Sequence, residues 1–236
     1  MKKHIPNLFT LANLFCGVLA CIAIIRESDY TTAAYLVLAG AGFDFLDGLV
    51  ARALNVAGEL GKQLDSLADM VTFGLVPGLI AMSLCSDFDA SYGNGLGTNW
   101  LVLFPVIITL MSAMRLAIFN ISTDQSDSFI GVPTPANTLF WIGMPFLLEY
   151  LEVYNIWVVL VLSGVSAVWL VMNYKMLALK FSSYGMKGNH GRWLLVVLSV
   201  LTLIILTTIT GNMLIALPII IILYLIVSVI NNSLSK

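Results

Sequence analysis

Long apolar runs follow one another along the whole chain, with short polar segments between them. A bilayer core is about 30 Å thick and requires about 20 apolar residues for each spanning helix. By that measure the pattern predicts eight spanning helices, at about residues 5–25, 32–54, 61–85, 99–120, 135–150, 156–173, 193–210 and 213–230. Because no repeat or soluble domain interrupts them, we predict one all-α transmembrane domain over residues 1–236.

The composition supports an integral membrane protein. Apolar residues make up 59% of the chain and charged residues only 10%, whereas soluble domains are about 25% charged. A soluble globule of this size could not bury so much apolar surface. The same numbers argue against a disordered chain and a nucleic-acid-binding protein. The three cysteines all lie in apolar runs, which argues against a disulfide framework.

The basic residues indicate how the chain is oriented in the bilayer. With eight spans, all of the eleven lysines and arginines except Arg26 fall on the side that carries the N-terminus. These are Lys2, Lys3, Arg52, Lys62, Arg115, Lys175, Lys180, Lys187, Arg192 and Lys236. Cytoplasmic loops are enriched in lysine and arginine. We therefore predict a multi-pass protein of the cytoplasmic membrane with both termini in the cytoplasm.

Four carboxylates lie inside the second and third predicted spans. They are Asp44, Asp47, Asp65 and Asp69. Each would cost about 2.5–3.5 kcal/mol at the centre of a spanning helix unless a partner compensates its charge. Arg52 and Lys62 offer only part of that compensation. Clustered carboxylates suit hard divalent cations such as Mg²⁺ or Mn²⁺. The alternative is that these four residues lie at helix ends and extend to the cytoplasmic membrane interface.

The spacing of these acids predicts that they face one another. At about 100° per residue, one stripe of the second helix carries Asp44, Asp47, Gly48 and Ala51, with Arg52 at its margin. One stripe of the third helix carries Gly61, Asp65 and Asp69. A short connection makes the two helices antiparallel neighbours, so the stripes can meet. Glycines on both stripes leave space for a bulky group to approach the backbone.

The pattern Asp44-x2-Asp47-Gly48-x2-Ala51-Arg52-x8-Gly61-x3-Asp65-x3-Asp69 resembles the signature of the CDP-alcohol phosphotransferases. The resemblance implies a membrane enzyme that displaces CMP from a CDP-linked lipid with an alcohol. It also implies a core of six helices, two divalent metal ions (Mg²⁺ or Mn²⁺) and a homodimer.

The same resemblance implies a role for each signature residue. Asp44 and Asp65 would bind both metal ions, and Asp47 would bind one of them. Asp69 would bind the other metal ion and act as the base for the acceptor hydroxyl. The cradle for the cytidine and diphosphate would consist of Gly48, Ala51, Arg52 and Gly61.

Further stretches resemble the phosphatidylserine synthase branch of that family, over about residues 5–181, with two additional helices at about 193–230. They are Ile5 to Gly17, Asp65 to Gly74, Arg115 to Asn120, Gly131 to Ala136 and Tyr174 to Lys180. This branch implies CDP-diacylglycerol as donor and L-serine as acceptor. Ile118 departs from the branch, which often has a second arginine there.

Three residues outside the signature are candidates for substrate contacts. Asn7 and Thr10 contact the CDP head group if the resemblance holds, although they could equally cap and begin the first helix. Arg115 is the one cation within a span away from the signature, and one guanidinium suits the one carboxylate of serine. The alternative for Arg115 is an interfacial residue that contacts headgroups.

Two other functions remain open at this point. One is the same reaction with another acceptor, such as glycerol 3-phosphate or inositol phosphate, although such acceptors favour several clustered cations. The other is cation transport, because acids within membrane spans often mark ion paths. A transporter typically has its site near the midplane, between repeated halves. The predicted acids lie toward one end of a single helix pair instead.

Overall fold

The computed structural model describes residues 4–56, 58–91, 100–121, 129–177 and 189–234. Its helices are α1 (Ile5–Glu27), α2 (Tyr30–Ala53), α3 (Glu59–Asp69), α4 (Val76–Ser91), α5 (Val106–Ile121), α6 (Thr134–Tyr150), α7 (Ile156–Val171), α8 (His190–Thr210) and α9 (Ala216–Leu234). A π-helical turn, Met70–Leu75, joins α3 and α4 into one continuous span. Within the described residues there are thus eight helical spans, as predicted.

Six of these spans are long and apolar enough to cross a membrane by length and composition. The other two, α6 with 17 residues and α7 with 16, are shorter. Most of α6 is enclosed by its neighbours, and Trp141 and Ile142 have no exposed surface. The prediction of an all-α membrane protein is confirmed, with α6 as a helix of the protein interior.

The two ends of the helix bundle carry different polar contacts. At the end where α1 turns into α2, Asp29 accepts a 2.9 Å hydrogen bond from the backbone N–H of Thr32. Hydrogen bonding by the Thr32 side chain, and then by its backbone N–H, lowers the pKa of Asp29. Nearby, the Tyr30 hydroxyl donates to Asp87 at 2.5 Å and lies 3.0 Å from the Ser83 hydroxyl, so α2 is fixed to the end of α4. The four signature carboxylates lie toward the opposite end.

Small residues allow α1 and α2 to pack closely against the π-helical turn. A Cβ added at Gly17 would lie 2.3 Å from Oγ1 of Thr72, and one added at Gly40 would lie 3.1 Å from the Thr72 methyl. The Thr72 hydroxyl donates to the backbone carbonyl of Asn13 at 3.1 Å. Small side chains of this kind let membrane helices come into direct backbone contact, and here they fix the segment that follows Asp69.

A buried network of polar side chains joins α6 to α7. Oδ1 of Asn137 accepts a 2.9 Å hydrogen bond from Nε1 of Trp169 and a further bond from the Ser166 hydroxyl. Ser166 in turn accepts a 3.0 Å bond from Nε1 of Trp141. In a membrane, the hydrophobic effect does not drive helices together, because lipid tails are as apolar as the side chains. Hydrogen bonds between side chains of neighbouring helices therefore help to stabilise the packing.

One feature is not helical. Two short strands, β1 (Phe129–Ile130) and β2 (Lys175–Met176), pair in antiparallel register near the start of α6. Next to them Gly131 has φ +73°, and a Cβ there would lie 2.5 Å from the carbonyl oxygen of Leu170. The all-α prediction omitted this pair because two-residue strands leave no alternating pattern in the sequence.

The described cations agree with the predicted grouping of charges. Arg52, Lys62, Arg115, Lys175 and Arg192 lie near the end of the bundle that holds the signature carboxylates, and Arg26 lies at the other end. The other five, Lys2, Lys3, Lys180, Lys187 and Lys236, are outside the described residues, as are the predicted limits at residues 181 and 236. Which membrane face carries this end stays a prediction.

Candidate functional site

Three carboxylates from two helices meet at the cation-rich end. Asp44 and Asp47 on α2 and Asp65 on α3 each place one oxygen within 4.8 Å of the others. Asp47 is 7% exposed, and Oδ1 of Asp65 is buried without a hydrogen-bond partner. In the part of the chain that the structure describes, no lysine or arginine forms an ion pair with these acids. The group therefore fits a divalent cation, whose preferred ligands are carboxylate oxygens.

Thr10 supports this carboxylate cluster from α1. Its hydroxyl donates a 2.6 Å hydrogen bond to Oδ2 of Asp47 and is 3% exposed. The sequence predicted a contact between Thr10 and the CDP head group. In the structure, Thr10 lines a cleft beside the carboxylates, which is described below. Thr10 thus fixes the direction of one carboxylate of the cluster.

Asp69 lies outside this group of three acids but within electrostatic range of each of them. It is the last residue of α3, one helical turn beyond Asp65, and it is not part of the group within 4.8 Å. Its Oδ1 accepts a 3.1 Å hydrogen bond from Nδ2 of Asn13, whose side chain has no exposed surface. The π-helical turn begins at the next residue, and such turns often occur at functional sites.

A cleft of about 240 Å³ opens beside the carboxylates. Its lining residues are Pro6, Asn7, Thr10, Asp47, Gly48, Ala51, Val56, Gly58, Gly61, Lys62 and Asp65. A Cβ added at Gly48 would approach no atom closer than 4.0 Å, and one added at Gly61 none closer than 3.5 Å. Packing within the protein therefore does not require these two glycines. Their absent side chains keep the cleft open for a ligand.

Two cations flank the cleft. Arg52 is exposed, and its Nε donates to the Gly48 carbonyl at 3.0 Å. No described residue accepts a hydrogen bond from its terminal N–H groups, so they are available to an anion at the mouth of the cleft. Lys62 lines the cleft, and its Nζ donates to the Asn120 carbonyl at 3.1 Å.

Arg115 lies in the protein interior. It is 7% exposed, and its Nη1 donates to Oγ1 of Thr134 at 3.4 Å. Its Nε is buried without a hydrogen-bond partner. The guanidinium is within electrostatic range of Asp69 and of Tyr224 on α9. A buried cation with an unused donor beside Asp69 is suited to bind an anion, whereas the interfacial alternative does not fit its burial.

A sequence model of the CDP-alcohol phosphatidyltransferase family matches residues 3–169. The chain belongs to this family. The matched segment includes all of the signature residues and Arg115, and it ends within α7. Membership of a transferase family favours group transfer over the cation-transport alternative.

Curated relatives carry more specific names. The chain is 42% identical over 134 residues to the CDP-diacylglycerol–serine O-phosphatidyltransferase of Helicobacter pylori (strain ATCC 700392 / 26695), a match that covers 56% of this chain and 52% of that protein. It is 32% identical over 133 residues to the enzyme of the same name from Bacillus subtilis (strain 168), covering 56% and 70%. It is 33% identical over 134 residues to the archaetidylserine synthase of Methanothermobacter thermautotrophicus, covering 56% and 53%. The chain thus spans about half the length of the first and third of these relatives.

Sequence reasoning missed two residues of this family member's site. Asn13 donates a hydrogen bond to Asp69, and Tyr224 lies within electrostatic range of Arg115. Asn13 follows Thr10 by three residues on the same helix face, and a polar side chain within an apolar run is a signal that could have identified it. Tyr224 lies in α9 without a motif, so only the fold reveals its position.

Proposed function

We propose that the chain transfers the phosphatidyl group of CDP-diacylglycerol to the hydroxyl of L-serine. Family membership and the names of the relatives support the reaction class. The observation that carries the proposal is the placement of Asp69 within electrostatic range of both the carboxylate cluster, which borders the open cleft, and the buried Arg115. This arrangement offers separate places for a nucleotide–lipid donor and a small acceptor with one carboxylate.

Two divalent ions, Mg²⁺ or Mn²⁺, would be held by the acids of the cluster. Asp44, Asp47 and Asp65 are the ligands that the geometry favours, and Asp69 is the proposed additional ligand of the second ion. When bound, the metal ions stabilise the negative charge that develops on the diphosphate. The unpartnered Asp65 oxygen and the lack of a described cation in the cluster support this assignment.

The cleft is the proposed site for the CDP part of the donor. Gly48, Ala51 and Gly61 present backbone and little side chain, so the nucleotide can lie against the helices there. Asn7 supplies an amide group in the same wall. The free terminal N–H groups of Arg52 can bind phosphate oxygens in a bidentate manner.

Asp69 is the proposed base. It takes the proton of the serine hydroxyl, the serine oxygen forms a bond to the phosphorus of the phosphatidyl group, and the bond from that phosphorus to the oxygen of CMP breaks. A positioned carboxylate is needed because the hydroxyl is a poor nucleophile while protonated. Asn13 donates a hydrogen bond to Oδ1 of Asp69, which orients the carboxylate.

Arg115 is the proposed site for the serine carboxylate. Its partner Thr134 uses one donor, and the buried Nε lacks a partner. Among the described residues, the charged groups that act on Arg115 are Tyr224 and Asp69, and no lysine or arginine is among them to favour an acceptor phosphate. We therefore propose serine over glycerol 3-phosphate or inositol phosphate.

The wider setting of the site is also a proposal. The core would comprise about residues 5–181, with two additional helices at about 193–230, in a homodimer of the cytoplasmic membrane with both termini and the site facing the cytoplasm. A membrane-impermeant thiol reagent tests the sidedness. It should reach Glu149→Cys in intact cells, and Glu59→Cys only after the inner face is opened, and the reverse pattern would contradict the proposed orientation.

The acceptor is tested with purified protein, CDP-diacylglycerol and Mg²⁺ or Mn²⁺. CMP release should be rapid with L-serine and slow with glycerol 3-phosphate, inositol phosphate or free inositol. Asp65→Asn serves as the inactive control. Faster release with a phosphorylated acceptor than with serine would assign the protein to another branch of the family.

A further inference from the structure

A second groove, which we call the α8–α9 groove, lies away from the carboxylate cleft. It has a volume of about 340 Å³ and lies between α6, α8 and α9. Its walls include Ala136, Leu139, Leu195, Ser199, Ile221 and Tyr224. α9 packs against both α6 and α8, whereas α6 and α8 make little direct contact with each other. α9 is therefore the floor of a groove that runs along the membrane-spanning helices.

The chemistry of the groove favours a hydrocarbon chain as its occupant. Apart from the hydroxyls of Ser199 and Tyr224, the side chains named above are hydrocarbon. Ordered water in such a site would need two to four polar partners, and apolar cavities usually stay dry. α8 is otherwise mostly exposed, as at Leu194 and Val200, which places the groove at the lipid-facing side of the protein.

One end of the groove lies next to the proposed acceptor site. Tyr224 lines the groove and is within electrostatic range of Arg115, which is itself within range of Asp69. The Tyr224 hydroxyl donates to the Leu177 carbonyl at 3.2 Å, which fixes its position. Leu139 and Ser199 lie farther along α6 and α8, away from this end. A chain in the groove would thus extend from the reaction centre into the membrane.

We propose that the α8–α9 groove holds one acyl chain of the CDP-lipid donor. This inference rests on the proposed function. A hydrophobic gain does not drive the binding, since the chain is already among lipids, so the preference comes from close packing against a fixed surface. α8 and α9 lie outside the residues 3–169 that match the family model. They would therefore add selection of the donor chain to the reaction centre, which lies within the matched residues.

Filling the distal end of the groove tests the proposal. Leu139→Trp on α6 and Ser199→Trp on α8 should shorten the groove. Leu201→Trp, at an exposed position of α8, is the matched control. CMP release is measured at saturating serine with a dihexanoyl and a dioleoyl CDP-lipid. We expect kcat/KM for the dioleoyl donor to fall about tenfold or more in both groove variants, equal to about 1.4 kcal/mol. For the dihexanoyl donor, kcat/KM of the groove variants should equal that of the unchanged protein. Leu201→Trp should match the unchanged protein with both donors.

Other outcomes separate this inference from the function itself. Equal losses with both donors, or no change with either, would overturn the groove proposal while leaving the transferase reaction in place. Thermal unfolding of each variant in detergent identifies a folding defect. A CDP-lipid with a diazirine at the end of its chain provides a readout that needs no turnover. Crosslinks should map to Leu139, Ile220 or Ile221, and crosslinks found only at other helices would overturn the proposal.

Discussion

Nδ2 of Asn13 donates a 3.1 Å hydrogen bond to Oδ1 of Asp69, across the contact between α1 and the end of α3. The backbone carbonyl of the same asparagine accepts the hydroxyl of Thr72. Asn13 is thus bound to both the proposed base and the π-helical turn that follows it. This double contact orients the Asp69 carboxylate.

Asn13→Ala should therefore lower kcat without weakening donor binding. A hydrogen bond to a charged group contributes about 1.5–3 kcal/mol, so we expect kcat to fall about 10- to 100-fold. The KM for CDP-diacylglycerol should change little, because Asn13 is not among the residues that line the cleft. Steady-state CMP release measures both constants.

Asn155→Ala is the matched control for this substitution. Asn155 caps α7 by accepting the N–H of Trp157 and is exposed, far from the carboxylates. Asn155→Ala should lower the thermal stability of the protein but leave kcat and the KM for CDP-diacylglycerol unchanged. An unaltered kcat in Asn13→Ala would show that Asn13 does not position the base.

The acids of the site should divide into two classes. Asp65→Asn should abolish CMP release and weaken Mn²⁺ binding, because Asp65 belongs to the cluster of three. Asp69→Asn should lower turnover by about 10²- to 10⁴-fold, the usual contribution of a general base, yet still bind the donor with metal. Electron paramagnetic resonance of Mn²⁺ and donor binding measure the difference. Near-normal turnover in either variant would contradict the two-metal account.

The packing of α1 against the π-helical turn should be sensitive to side-chain volume. Gly17→Val would place its Cβ 2.3 Å from the Thr72 hydroxyl and 3.0 Å from the Thr72 backbone. Overpacking of this kind costs about 1–3 kcal/mol, and we expect lower thermal stability together with lower activity. Gly42→Ala is the control, since no atom lies within 4 Å of its added Cβ. Equal stability of the two variants would contradict the close contact.

Arg115→Lys should change the use of serine more than the use of the donor. Lysine keeps the charge but loses the planar pair of donors that binds a carboxylate. Losing one charge-assisted pair costs about 1.5–3 kcal/mol, so kcat/KM for serine should fall about 10- to 100-fold. The KM for CDP-diacylglycerol should stay nearly constant. An unchanged KM for serine would remove Arg115 from the acceptor site but leave the enzyme assignment intact.

The helices could be predicted from the sequence because a membrane span has one dominant requirement, a run of apolar residues. The same requirement did not reveal that α6 is enclosed by other helices, since an apolar run looks alike whether it faces lipid or protein. The π-helical turn at Met70–Leu75 and the pairing of β1 with β2 depend on contacts with distant segments. Neither leaves a local periodicity.

The candidate site was predictable where helical spacing determines it. Asp44 and Asp47 lie on one face of α2, and the structure brings them to Asp65. Asp69 is not in that group of three, although it lies within electrostatic range of each of its members and accepts a hydrogen bond from Asn13. That Asp69 also binds a metal ion stays a prediction. The sequence could not show that Arg115 is buried or that Tyr224 approaches it, because these facts depend on how α5 and α9 pack.

The proposed transfer to serine is tested most directly by following both products at once. Purified protein receives CDP-diacylglycerol, isotopically labelled L-serine and Mg²⁺ or Mn²⁺, and mass spectrometry counts labelled phosphatidylserine against CMP. The account predicts one labelled phosphatidylserine for each CMP, with both products lost after chelation of the metal or in Asp65→Asn. CMP release without labelled lipid, or equal yields without a divalent metal, would contradict it.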